Sequence, residues 1–313
     1  MRSAGEPVLL RPLSLGEIFD RALTLYVRNL VPFTLIVAVM VVPISVLNYF
    51  VAMHESSSFA QILAQIQHPA KTPPQADAAL EGWNVVLILV AVVLNAFTIV
   101  AIAAAVGRLY RNELPDWRAC WSAALRRTGS IALALLCEFG VFAGVIFAGA
   151  FALTAVFIAA FLLVRASPAL GVAAFIAGVV VAVLWFVCIV LSYLAFGFAF
   201  SALGVENAPV GAAMGSGFSR VFNRAELFRA VLVCLALTVI YFGISIVSVS
   251  AAAIFESMNL HLLTVLVGAV LSLVMTAALG VLLVVYYFDV RVRREGLDMQ
   301  AEIESLQPVA TWP

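Results

Sequence analysis

The chain has 313 residues, of which 65% are hydrophobic and only 11% are charged. Soluble domains are about half apolar and about one quarter charged, so this composition excludes an ordinary soluble domain and predicts a polytopic membrane protein. Basic and acidic residues balance at 17 each. The net charge therefore says nothing about partners. As a separate expectation, the protein has no nucleic-acid partner.

The first structured stretch is predicted to be an amphipathic helix, Pro12 to Asn29, that lies on the membrane surface. Its apolar face follows helical spacing and comprises Leu15, Ile18, Phe19, Ala22, Leu25 and Tyr26. Its polar face comprises Glu17, Asp20, Arg21, Thr24 and Arg28. Ser14 is the predicted N-cap, with Glu17 at capping-box spacing. The helix leads directly into a first span, Leu30–Val51.

A polar loop, residues 54–82, follows the first span, and residues 59–66 within it are predicted to form a short surface helix. The second span is Trp83–Val106. A second amphipathic helix begins after Pro115 with Asp116 as N-cap, and its apolar face comprises Trp117, Cys120, Trp121, Ala124 and Leu125. It leads into two apolar runs, Ile131–Val164 and Ala169–Leu203, joined by a tight turn at residues 165–168.

The third amphipathic helix follows Pro209. Its apolar side is Val210, Ala213, Met214, Phe218, Val221 and Phe222, and its polar side is Ser216, Ser219, Arg220, Asn223 and Arg224. Two further spans, Leu227–Phe255 and Leu262–Phe288, precede a charged tail, residues 289–313.

The pattern is therefore a threefold repeat of amphipathic helix, span and span, with units at about residues 12–106, 115–203 and 209–288. We expect one all-α integral membrane domain with six transmembrane helices and three interfacial helices. Repeats of this kind occur in membrane proteins that build a central pathway. Duplication for packing alone explains the repeat equally well.

Orientation follows from the basic residues. With six spans, both tails and the segments that carry the second and third amphipathic helices share one side. That side holds every Lys and Arg except Lys71 and Arg165. Because cytoplasmic loops collect Lys and Arg, we expect a bacterial inner-membrane protein with both termini in the cytoplasm.

The third and fourth apolar runs are unusually long. Each holds about 34 residues, or about 50 Å of helix, against a hydrocarbon core of about 30 Å. Gly140, Gly144 and Gly149 supply a small-residue face for close packing in the third run. These features predict a long helical hairpin that extends past the outer headgroups.

Two polar residues within the spans are candidate functional groups. Glu138 either belongs to a proton or ion path or has a structural role, and Asn95 makes either an interhelical hydrogen bond or a substrate contact. Six arginines of the amphipathic segments either contact anionic lipid headgroups or anchor the topology: Arg21, Arg28, Arg126, Arg127, Arg220 and Arg224.

Catalytic signals are missing from the sequence. It contains no GxxxxGK[ST], GxSxG or HExxH pattern, and its histidines and cysteines lack metal-ligand spacing. No catalytic residue, cofactor or metal is expected.

The two ends of the chain resemble a known bacterial family. Residues 11–21, RPLSLGEIFDR, with the following Tyr26-Val27-Arg28-Asn29, and residues 286–298, YYFDVRVRREGLD, are similar to the ends of the glycerophosphoryl diester phosphodiesterase membrane domain. In some members that domain is fused to a catalytic barrel with a His-Arg pair and a Glu-x-Asp. This chain has no His-Arg pair, and six spans leave no room for a barrel of about 250 residues. The resemblance therefore implies a stand-alone membrane domain.

These observations predict a non-enzymatic multi-pass membrane protein that acts as a scaffold or accessory module and contacts membrane lipids or a membrane protein partner. The alternative is a transporter or flippase-like conduit for a small or lipidic substrate. The repeat, Glu138, Asn95 and the long hairpin favour that alternative.

Overall fold

The computed structural model describes residues 11–67, 78–258 and 260–296. Within those ranges the chain is all-α, with nine helices and no strand. The helices are α1 (Leu15–Arg28), α2 (Leu30–Gln67), α3 (Ala78–Tyr110), α4 (Trp117–Leu125), α5 (Thr128–Ala166), α6 (Pro168–Val205), α7 (Val210–Val221), α8 (Arg224–Ser257) and α9 (His261–Glu295). One short helix followed by two long ones occurs three times, which confirms the predicted order of elements.

Six of these helices are long and apolar enough to cross a bilayer, so the chain is a multi-pass membrane protein. They contain 38, 33, 39, 38, 34 and 35 residues in chain order. At about 1.5 Å per residue each is about 50 Å long or more, against a hydrocarbon core of about 30 Å. The excess length predicted for the third and fourth runs is thus common to all six.

Part of the predicted polar loop is helical. α2 continues to Gln67, so residues 59–66 are the end of a long helix and not a separate surface helix. The apolar run continues in the sequence to Met53, and residues 54–67 contain no Gly or Pro that would stop the helix. Polarity in this stretch therefore does not break the helix. Residues 68–77 lie outside the described part of the chain.

α5 and α6 form the predicted hairpin, turning at Ser167 with Pro168 as the first residue of α6. The indole N–H of Trp185 donates to the carbonyl of Val145 across the pair at 2.9 Å. A Cβ added at Gly149 would lie 2.1 Å from Trp185 Nε1, whereas one added at Gly140 or Gly144 would meet nothing within 4 Å. Of the three predicted contact glycines, only Gly149 therefore permits the close approach.

The short helices α1 and α4 follow their sequence patterns closely. The buried residues of α1 are Ile18, Ala22 and Tyr26, at a spacing of four. Asp116 caps α4 by accepting from the backbone N–H of Arg118 at 3.2 Å. The buried residues of α4 are Cys120, Trp121 and Ala124, whereas Leu125, predicted on the apolar face, is exposed. Burial raises the pKa of the Cys120 thiol to about 11, so it stays protonated.

The described residues group into two compact units. Unit 1 comprises residues 16–126 and 238–285, and unit 2 comprises residues 11–15, 127–237 and 286–296. Within unit 1, α3 packs against α2 and α4; within unit 2, α6 packs against α5 and α7. Neither unit coincides with a predicted repeat, because α8 and α9 each contribute to both units.

Candidate functional site

The two polar residues predicted to be functional within the spans lie in different units. Glu138, on α5, and Asn95, on α3, are each half-buried. The side chain of neither residue makes a hydrogen bond or ion pair with any residue in the described ranges. The interhelical bond expected of Asn95 is therefore not present within that part of the chain.

Three of the six predicted headgroup arginines make contacts within their own unit. The Arg21 guanidinium lies 5.5 Å from the centre of the Tyr110 ring. Arg127 donates to the Leu203 carbonyl at 2.9 Å and to Asn207 Oδ1 at 2.5 Å, so it satisfies backbone and side-chain acceptors at the end of α6.

Arg220 corrects the predicted polar face of α7, because it is buried, with 6% of its surface exposed. It lies near Gly217 and Val221, which are also buried, so helical spacing places it at the edge of the packed face. By contrast Phe222, predicted to be apolar and buried, is 46% exposed. Arg220 is thus held inside unit 2 and is not a headgroup contact.

Buried acceptors compensate the charge of Arg220. Its guanidinium lies 3.0 Å from Glu206 Oε1 and 2.6 Å from Glu295 Oε1, and it donates to the Tyr287 hydroxyl at 3.0 Å. The Tyr287 hydroxyl in turn donates to Glu206, and Arg291 lies 2.6 Å from Glu295 Oε2. These five side chains form the Arg220 network, which joins the ends of α6, α7 and α9.

Electrostatics within the Arg220 network keep this arginine charged. Burial on its own disfavours the cation, but Tyr287, Glu206 and Glu295 outweigh that effect and raise the pKa of Arg220 above its usual value. Such a group stays protonated well above neutral pH. The Arg220 network is therefore a permanent ion-pair structure and not a proton donor.

A second group of charges surrounds Asp289 near the end of α9. Its side chain is fully buried and lies 2.9 Å from Arg229 Nη2 and 3.2 Å from Arg293 Nε. The backbone N–H of Leu13 donates to Asp289 Oδ1 at 2.6 Å. The Leu13 carbonyl accepts from Arg229 at 2.5 Å and from Arg293 at 2.6 Å. This Asp289 cluster binds the segment before α1 to the last turns of α9.

The Asp289 cluster involves residues that the sequence analysis did not single out. Asp289 and Leu13 are 276 positions apart, and the available signal was that both belong to the two end stretches quoted for the family resemblance. A second signal was an aspartate directly after the apolar run that ends at Phe288. Charged residues so close to a span are costly unless paired, and pairing is what the structure shows.

Neither group of charges offers an obvious catalytic function. Within the described ranges, no three His, Cys, Asp or Glu residues are placed to hold a metal ion. The arginines and carboxylates of the Arg220 network and the Asp289 cluster are bonded chiefly to one another, which favours a structural role. One detail remains unexplained by their mutual pairing: Glu226 Oε2 and Arg229 Nε are buried without a hydrogen-bond partner in the described part.

Three predicted headgroup arginines remain exposed. Their guanidinium groups make no ion pair or hydrogen bond with the described residues. Each lies where a short helix meets a long one: Arg28 ends α1, Arg126 follows α4, and Arg224 begins α8. We refer to Arg28, Arg126 and Arg224 as the junction arginines. Their cationic groups are free to meet an external anion.

Unit 1 also contains a groove of about 360 Å³ between α2, α3 and α9. Its polar lining consists of Ser45 and Asn48 on α2 and Ser272 on α9, and no charged residue lines it. Glu138 and Asn95 are not among its lining residues, so the groove does not use either predicted polar candidate.

Comparison with known proteins adds no assignment to these sites: no protein-family model, curated protein or solved structure matches the chain.

Proposed function

We propose that the protein is a non-enzymatic multi-pass module of the bacterial inner membrane that contacts anionic lipid headgroups through the junction arginines and acts as a scaffold for a membrane partner. The observation that carries this proposal is the position of Arg28, Arg126 and Arg224. Each is exposed, without an internal partner in the described ranges, and located at the start of a long apolar helix.

Topology supports a common site of action for the junction arginines. Each precedes the first of a pair of apolar helices, so two crossings separate one junction from the next. Successive junctions then face the same side of the bilayer, and the excess of arginine makes that side cytoplasmic. Each arginine near an anionic surface contributes about 1 kcal/mol of attraction. The family resemblance at the chain ends is consistent with an integral membrane domain and remains part of this proposal.

The test measures lipid preference directly. Spin-labelled phosphatidylglycerol and phosphatidylcholine are compared as boundary lipids of the reconstituted protein. We expect the wild type to prefer phosphatidylglycerol several-fold, and the triple variant Arg28→Gln, Arg126→Gln, Arg224→Gln to lose most of that preference.

A matched triple variant, Arg111→Gln, Arg118→Gln, Arg165→Gln, is the control. These arginines are also exposed, but Arg111 pairs with Glu113, Arg118 lies over Trp117 and Arg165 lies over Phe161. The control removes the same total charge, two arginines from the side of the junction arginines and Arg165 from the opposite side, and should keep the preference. Equal loss in both triple variants would show that net charge, and not the junction position, attracts the lipid.

A second candidate is a conduit for a small or lipidic substrate, and the unit-1 groove is the observation that favours it. A conduit predicts that proteoliposomes exchange fluorescent lipid between leaflets faster than protein-free vesicles. Glu138→Gln should slow this exchange if Glu138 belongs to the path. If fluorescent lipid exchanged between leaflets no faster than in protein-free vesicles, the conduit would be excluded and the scaffold proposal would stand.

A further inference from the structure

We propose that the unit-1 groove is a lipid-binding site that holds the glycerol ester region and one acyl chain of a diacyl membrane lipid. This inference does not depend on the junction arginines, because no charged residue lines the groove. The part of the occupant that enters the groove is for the same reason uncharged.

Hydrogen-bonding capacity is the first argument. Ser45, Asn48 and Ser272 line the groove, and the side chain of none of them makes a hydrogen bond with a residue in the described ranges. Polar groups within a bilayer are costly when they lack partners. Two hydroxyls and an amide can all donate to carbonyl oxygens, and the ester carbonyls of a diacyl lipid are acceptors of the matching kind.

The level of the polar groups is the second argument. The part of α2 that crosses the hydrocarbon starts at Leu30 and, because a core of about 30 Å takes up about 20 residues of helix, ends near residue 50. Asn48 lies two residues before its end, or about 3 Å along the helix, whereas Met40 lies about 15 Å from that end. The groove therefore extends from the boundary of the hydrocarbon inward. Ester groups of a lipid lie at that boundary and their chains point away from it.

The walls of the groove provide the third argument. On the side of the polar groups that faces the bilayer centre, they offer apolar surface and free space. The apolar wall is formed by Met40, Val41, Ile44 and Val265. Gly268 lines the groove on α9, and a Cβ added there would meet nothing within 4 Å. A larger side chain at this position would occupy the space that the acyl chain needs.

The test uses photo-crosslinking with a phosphatidylcholine that carries a diazirine in one ester-linked acyl chain. The intact protein is reconstituted in phosphatidylcholine nanodiscs, irradiated and digested, and crosslinks are mapped by mass spectrometry. We expect crosslinks concentrated on residues 40–48 and 265–272. Gly268→Leu should lower their yield several-fold, whereas crosslinks elsewhere on the spans should not change.

Matched variants separate groove filling from general effects. Gly243, on α8, also has no atom within 4 Å of an added Cβ but does not line the groove, so Gly243→Leu should retain the crosslinks. Asn48→Leu should lose them, and Asn95→Leu should retain them. The comparison requires equal thermal stability, and Gly268→Leu carries the test if Asn48→Leu fails to fold.

A probe with ether linkages tests the hydrogen bonds, because it lacks the ester carbonyls. We expect it to crosslink the groove several-fold less than the ester probe. Equal yields from the two probes, or equal yields in Gly268→Leu and Gly243→Leu, would overturn the proposal. The triple variant of the junction arginines should crosslink as the wild type does, so failure of either proposal is visible separately.

Discussion

α4 and α7 are both short amphipathic helices that precede a pair of long apolar helices, yet a different kind of group anchors each. In unit 1 the indole N–H of Trp121 on α4 donates to the carbonyl of Ile36 at 3.0 Å. In unit 2 the buried Arg220 on α7 meets Glu206 and Glu295. A neutral donor needs one acceptor, whereas a buried cation needs compensating anions. An arginine on an amphipathic helix is therefore not, by its position alone, a lipid contact.

The largest effect is expected from breaking the α7 anchor. Arg220→Met leaves Glu206 and Glu295 with Arg291 as their one remaining shared cation, and losing one member of a buried ion pair costs at most about 3–5 kcal/mol. We expect thermal unfolding in detergent to begin at a clearly lower temperature. Arg224→Met, four residues away and exposed, is the control and should unfold as the wild type does. Similar destabilisation by both variants would contradict the internal role of Arg220.

A smaller effect tests how closely α7 approaches α6. A Cβ added at Gly217 would lie 2.6 Å from the Ala195 carbonyl oxygen, so Gly217→Ala forces backbone apart and should cost about 1–3 kcal/mol. Gly215→Ala meets nothing within 4 Å, and its higher helix propensity should leave stability equal or slightly greater. Thermal unfolding of the two variants side by side measures this difference. A neutral Gly217→Ala would show that the two helices pack less tightly.

The smallest effect is expected at the α4 anchor. Trp121→Phe keeps an aromatic ring but removes the N–H that reaches the Ile36 carbonyl, a loss of about 1 kcal/mol. Trp117→Phe provides the comparison, since Trp117 is only half-buried and its indole N–H makes no hydrogen bond with a described residue. Denaturant titration of both variants gives the difference in unfolding free energy. Equal unfolding free energies for the two variants would show that the hydrogen bond from Trp121 to the Ile36 carbonyl does not stabilise the fold.

Local features of the fold could be predicted from the sequence because they depend on nearby residues. Asp116 as the cap of α4, the turn before Pro168, and the buried spacing of Ile18 and Ala22 all follow from short-range rules. The polar residues after the first span predict a loop, whereas α2 continues to Gln67. Polarity determines whether a segment favours water or lipid, whereas Gly and Pro are the residues that end a helix.

The candidate sites were less predictable because they depend on residues far apart in the chain. Arg220 and Arg224 have the same character in the sequence, and Arg220 differs because it meets Glu206, 14 residues before it, and Glu295, 75 residues after it. The pairing of Leu13 with Asp289 is equally remote. The groove lies between α2 and α9. Its polar lining residues are Ser45 and Asn48 on α2 and Ser272 on α9, and nothing in the sequence of either helix distinguishes them from other polar residues of the spans.

The central claim is that Arg28, Arg126 and Arg224 lie at one face of the bilayer, within reach of lipid headgroups. The side of α7 that carries Val221 is instead buried within the protein. Single cysteines at positions 28, 126, 224 and 221, in a background with the four native cysteines replaced, can be tested with a membrane-impermeant thiol reagent on right-side-out and inverted vesicles. The account predicts rapid labelling of the first three positions only in inverted vesicles, and slow labelling at position 221, where Val221 is buried. Labelling of the three positions from opposite faces would contradict it.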